Sequence, residues 1–287
     1  TMKRLILSLA LAISALSLIT PVSFAEDSIY ISIKKECINA AKKDSALIAE
    51  VGIAKIDSLS SLLEKFDFSV VNKIISRECA IPESSLTKHP YRIKFTLNGC
   101  RGGLVSWFKD TILLNPNAFS KSFPFEGTLI HEYIHSVTLI DSINRGYRSF
   151  KWADTITREE WVEKGWSYSL PGIPHLLNEG VTEWLTMRVY WKLYHKKLAP
   201  NWLYKKPVAA VQKIAKIIGP EVLMYAYLNG DAECMQRSFD SRLGKNAWQE
   251  YLKRLSVCGE RNTEKDAQKI LSITKSFIAS RLSKIKK

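Results

Sequence analysis

The chain has five cysteines, Cys37, Cys79, Cys100, Cys234 and Cys258, but no C-x-x-C pair, which argues against a cysteine-built metal centre. It carries no internal repeat and no low-complexity linker, so nothing suggests a repeat array or a beads-on-a-string protein. Apart from one apolar run near its start, no segment is long enough to span a bilayer. Acidic residues are in deficit: 28 Asp and Glu against 42 Lys and Arg leave a formal charge of +14. The lysines are nevertheless scattered, with no recognition motif and no basic ladder interleaved with aromatics. A specific nucleic-acid partner is therefore not expected. The charge suits solubility and weak attraction to an anionic envelope surface. With 287 residues, 46% of them hydrophobic, there is material for one large domain or two small ones.

The informative feature is His131-Glu132-Tyr133-Ile134-His135, an H-E-x-x-H pentad. The residues around it, Leu129, Ile130, Tyr133, Ile134, Val137 and Ile140, recur as the buried side of a helix. Two histidines four apart lie about 40° apart around such a helix, so both rings can hold one metal ion from the same face. Glu132 is off that row, where its carboxylate can reach a water on the metal and take its proton. A catalytic zinc site needs a third protein ligand and an open position. The next acids in an apolar helical context are Glu179 and Glu183, one turn apart within residues 176–186. One can bind metal while the other orients a histidine ring from behind.

The two segments together resemble the gluzincins, zinc metallopeptidases with HExxH on one helix and a glutamate ligand on a second. In many of these the second helix reads N-E-x-x-x-D or N-E-x-x-x-E, and Asn178-Glu179 with Glu183 follows that pattern. The resemblance covers roughly residues 103–230. It implies one Zn²⁺ held by His131, His135 and Glu179, Glu132 as general base, and Glu183 behind a ligand histidine. The metzincin pattern wants Gly three and His six residues after the second histidine, where this chain has Thr138 and Asp141. Some relatives place a tyrosine seven residues before the glutamate ligand to stabilise the oxyanion; here that position is Gly172. Tyr204, Tyr168, Tyr190 and His175 are the candidates for this role, with Tyr204 preferred.

The expected fold is α+β: a mostly helical, zincin-like domain with a small sheet packed on the metal-binding helix. Residues 1–25 read as a signal peptide: basic Lys3-Arg4, an apolar run from Leu5 to Ile19, and a small-x-small site at Ser23-Phe24-Ala25. An exported, periplasmic or extracellular protein is expected from this. Residues 26–90 read as a helical N-terminal lobe, with two or three helices over 35–78, and 91–287 as the metallopeptidase domain. Strands are expected at 91–97, 102–108 and 111–114, with a turn signal at Asn98-Gly99. The 102–106 stretch or its neighbour is expected at a sheet edge, where an extended peptide could pair. The polar stretch 141–174, with Trp152, Trp161 and Trp166, reads as a lid or cleft wall. Helices are expected over 175–197, 205–218, 220–229, 244–257 and 263–285. In an oxidising compartment Cys37–Cys79 and Cys234–Cys258 are conceivable disulfides, with Cys100 free. The function expected is that of a monomeric zinc metallopeptidase acting on peptide or protein substrates. The alternatives are a peptide-binding pseudo-enzyme or a basic envelope-binding protein without catalysis.

Overall fold

The computed structural model describes residues 23–86, 92–97, 103–106, 111–119, 124–145, 174–229, 231–258 and 263–285. The expected signal run, Asn98-Gly99, Cys100, Tyr168, Gly172 and most of the 141–174 stretch lie outside these residues. Among the described residues, no helix is long and apolar enough to cross a membrane.

The N-terminal region folds into four longer helices rather than two or three: α1 (Ser23–Lys43), α2 (Ser45–Val51), α3 (Ile53–Lys65) and α4 (Phe68–Cys79), followed by the short α5 (Glu83–Leu86). Each break has a local cause. The Asp44 carboxylate accepts from the Leu47 amide at 3.0 Å and starts α2. Gly52 ends it at φ +86°, a conformation that glycine tolerates best. Asp67 caps α4 by accepting from the Ser69 and Val70 amides at 2.9 and 3.1 Å. These capping interactions do not disturb the apolar periodicity, which is why the periodicity alone undercounts the helices.

The sheet has three strands, β1 (Arg92–Phe95), β2 (Gly103–Ser106) and β3 (Thr111–Leu114), in the order β1-β3-β2. β3 runs parallel to β1 and antiparallel to β2. Thus β1 does not pair with the strand that follows the Asn98-Gly99 turn signal. Burial explains the order. β3 reads Thr-Ile-Leu-Leu and is covered almost throughout, which suits a central strand; β1 alternates exposed and buried residues, which suits an edge. β2 forms the other edge and packs on the helix that carries the H-E-x-x-H pentad.

That helix is α6 (Phe125–Arg145), and it packs on α7 (His175–Tyr194), which carries Asn178 to Glu183. Behind them stand α8 (Lys205–Ile218), α9 (Pro220–Asn229), α10 (Ala232–Leu243), α11 (Ala247–Leu255) and α12 (Glu264–Ile285). α10 is not among the helices expected from sequence. It buries only Met235, Phe239 and Leu243, a thin stripe in a polar segment, and its start is set by the Asp231 carboxylate accepting from the Cys234 amide. α12 buries Ile270 and Phe277 against its neighbours, while Leu282 and Ile285 near its end are exposed.

The N-terminal helices share one continuous core with the rest. Tyr133, inside the pentad, faces away from its flanking histidines. Its hydroxyl donates to Asn72 Oδ1 on α4 at 2.6 Å and meets the Tyr30 hydroxyl of α1 at 3.0 Å. Phe68 and Tyr30 stack beside it, with ring centroids 4.8 Å apart. α4 also reaches α7 through Glu78, which accepts from Arg188 Nε at 2.9 Å.

The two disulfides considered from sequence are not formed: Cys37, Cys79, Cys234 and Cys258 are free thiols. Their surroundings differ. Cys37 lies against the Phe95 backbone, and burial pushes its thiol up to about 12. Cys79 is buried near Glu78 and Arg188. Cys258 sits near Lys269 and Asp266, and Cys234 is on α10.

Gly180, next to Glu179, lets α8 approach α7. A methyl group there would stand 2.7 Å from Pro207 Cβ and 2.9 Å from its carbonyl carbon. In an isolated helix alanine would be favoured over glycine by about 1 kcal/mol. Displacing a helix start costs about 1–3 kcal/mol. Gly180→Ala is therefore expected to lower stability in urea unfolding, and an unchanged or raised midpoint would show that the contact is loose.

Candidate metal centre

α6 and α7 each supply part of one buried cluster. His131, His135, Glu132, Glu179 and Glu183 are all less than 10% exposed. The Nε2 atoms of His131 and His135 are 3.1 Å apart. Glu179 Oε2 lies 3.2 Å from His131 Nε2 and 3.4 Å from His135 Nε2. Ligands at about 2.0–2.1 Å from a tetrahedral ion stand about 3.3–3.4 Å from one another. The three donor atoms therefore form one face of a cage of the right size, and this cluster can hold a metal ion.

The donor chemistry agrees. His131 Nδ1 is 2.8 Å from Glu183 Oε2, and a carboxylate only accepts, so Nδ1 carries the proton. In the neutral ring Nε2 then presents a lone pair to His135 and Glu179. Three lone-pair atoms packed this closely repel one another. A single proton can bridge one edge of that triangle, whereas a divalent cation satisfies all three.

Charge makes the same point. Three carboxylates, Glu132, Glu179 and Glu183, are buried together, and among the described residues the ion-pair partners of Glu179 and Glu183 are histidines, with no lysine or arginine. Burial disfavours a charge on His131, but its hydrogen bonds to Glu179 and Glu183 outweigh this and hold its pKa well above the ordinary histidine value. Burial pushes Glu179 up, and the two histidines pull it well below the usual carboxylate range. Glu132 is raised, chiefly by burial, against the opposing pull of His131 and His135. The cluster thus favours a positive charge beside Glu179 and Glu183, which a proton on His131 or a cation could supply.

His131, Glu132, His135, Glu179, Glu183 and Tyr204, all named from the sequence, fall in or beside this cluster. Glu183 lies behind His131, and its second oxygen accepts from the Asn201 amide at 2.8 Å. Tyr204 stacks on the His131 ring with centroids 5.8 Å apart and planes within 8°. Burial, then the adjacent Glu179 charge, raises its hydroxyl far above the ordinary tyrosine value. Residues 195–204 thus run back from the end of α7 to the cluster, and Leu198 on the way lies over Gly127 of α6. Of the other tyrosine candidates, Tyr190 packs on Tyr194 near Glu126. His175 is partly exposed, with Nε2 3.5 Å from Glu179 Oε1.

Sequence reasoning passed over Asn201, Thr182 and Tyr227. Thr182 Oγ1 lies 3.4 Å from His135 Nδ1 and is hydrogen-bonded to the Tyr227 hydroxyl. Its spacing was a usable signal, since a residue three after Glu179 faces the same way on a helix. Nothing local pointed to Tyr227 or to the Asn201 backbone. Asn178, which precedes Glu179, is fully buried, and its side-chain amide has no hydrogen-bond partner among the described residues.

No protein-family model, curated protein or solved structure matches the chain. The functional reading rests on the geometry of this cluster.

Because His131 holds its proton above the usual value, metal must displace it. Calorimetric titration in buffers of differing ionisation enthalpy is expected to show proton release on binding, with affinity falling as pH is lowered. Binding with no proton release, or equally tight at acidic pH, would contradict the assignment of His131 as a ligand.

Proposed function

We propose that the protein is a zinc-dependent metallopeptidase of the gluzincin kind, with Zn²⁺ held by His131, His135 and Glu179. The observation that carries this reading is the triangle of donors, 3.1–3.4 Å on a side, with a buried carboxylate one residue from a ligand. Two imidazoles and one carboxylate are a set that zinc accepts with an open position left for water. When bound, the ion lowers the pKa of that water toward neutrality and polarises the scissile carbonyl.

The chain's own residues supply the rest. Glu132 is the general base. Its raised pKa brings proton affinity closer to what a base needs near neutral pH. It accepts the proton of the attacking water and returns it to the leaving amine, so that one carboxylate serves both halves of the reaction. Glu183, itself held by the Asn201 amide, keeps the His131 proton on Nδ1. Tyr204 is the donor in this scheme for the oxyanion that forms on the carbonyl. Its high proton affinity keeps the hydroxyl protonated throughout the working pH range. β2 offers its outer edge for an extended peptide, in a position beside α6. A peptide-binding protein without catalysis would need the cage and the edge but not Glu132.

Glu132→Gln keeps the shape and removes the base. It is expected to leave metal stoichiometry unchanged and to lower cleavage of a peptide library by about 10²–10⁴-fold. A chelator should abolish cleavage by the wild type. Full activity in the variant, or cleavage indifferent to chelation, would overturn the reading.

A further inference from the structure

The two histidines of the pentad are supported by different chemistry. A carboxylate, Glu183, backs His131. Behind His135, among the described residues, stands a pair of hydroxyls. Thr182 Oγ1 is 3.4 Å from His135 Nδ1 and also bonds the hydroxyl of Tyr227, which comes from α9. Thr182 and Tyr227 are fully buried. A hydroxyl has one proton and two lone pairs. Thr182 can direct its proton to Tyr227 or to the Asn178 carbonyl, 3.4 Å away. In either case a lone pair remains for the His135 Nδ1 proton.

From this geometry we infer that Tyr227 and Thr182 form a hydroxyl relay that fixes the tautomer and ring orientation of His135, so that its Nε2 lone pair points at His131 and Glu179. The inference rests on the reading of the cluster as a metal cage and adds α9 to the elements that build it. The neutral character of the relay has a physical reason. Glu132, Glu179 and Glu183 are already buried around one cation, and a carboxylate behind His135 would add a fourth buried anion. Hydroxyls orient the ring without that charge. Thr182 and Tyr227 are positioning residues: they act through His135.

The test measures Zn²⁺ and Co²⁺ affinity of the full chain by competition with a chromophoric chelator. Thr182→Val keeps shape and removes the hydroxyl, and it is expected to weaken binding about 10–100-fold. Thr182→Ser should restore nearly wild-type affinity. Tyr227→Phe should weaken binding less than Thr182→Val. Adding it to Thr182→Val should cost nothing further, because in the relay Tyr227 acts on His135 through Thr182. The visible spectrum of the Co²⁺ form should change in Thr182→Val but not in Thr182→Ser. The rise in melting temperature on metal loading should shrink, whereas a purely structural role would lower the metal-free and metal-loaded melting points alike. Thr182→Val binding metal as the wild type does, or losses in the two variants that add in full, would overturn the relay and leave the metal cage standing. A wild-type chain that binds neither ion would overturn both.

Discussion

Three buried carboxylates facing two imidazoles, with no lysine or arginine paired to Glu179 or Glu183 among the described residues, form the constraint on which the molecule is built. Such a cluster is costly to bury unless something positive stands at its centre. A proton on His131 would meet part of this demand, and a divalent cation would meet it more completely because it would also relieve the lone-pair crowding among the three donors. The positions of α6 and α7 follow from this. The pentad supplies two nitrogens on one helical row, and α7 supplies the carboxylate that closes the triangle. Gly180 removes the side chain that would otherwise hold α8 away from α7.

The rest of the fold holds that convergence from several sides. The N-terminal helices grip the back of α6 through Tyr133, whose hydroxyl is engaged by Asn72 and Tyr30. Residues 26–86 are therefore part of the body that fixes the pentad and share its core. The segment 195–204 returns from the end of α7 to hold Glu183 through the Asn201 amide and to lay Tyr204 on the His131 ring. Neighbouring helices thus add backbone, aromatic and hydroxyl support around ligands that come from only two helices.

The cluster of His131, His135 and Glu179 was legible in the sequence because its geometry is local. A spacing of four places two histidines on one face, and two acids one turn apart in an apolar helix need a positive partner to be buried there. The bounds of α8 and α9 were also legible, since Gly219-Pro220 is a stop and start written in adjacent residues. What was not legible depends on partners distant in sequence. The sheet order β1-β3-β2 is set by which strand is covered on both faces, and a turn signal after β1 carries no information about that. α10 escaped notice because only three of its buried residues are apolar and large. Tyr227 meets Thr182 across 45 residues, and no periodicity encodes such a meeting. The cysteine pairings failed for a related reason: parity and compartment suggested them, while the fold gives the thiols separate surroundings.

The most direct test of the metal cage is a crystal structure of the purified chain with diffraction collected on both sides of the zinc absorption edge. One anomalous peak per chain is expected at about 2.0–2.2 Å from His131 Nε2, His135 Nε2 and a Glu179 oxygen, with a fourth position free of protein atoms. A chain saturated with zinc that shows no peak at this cluster, or a peak ligated elsewhere while His131, His135 and Glu179 remain in mutual contact, would contradict it.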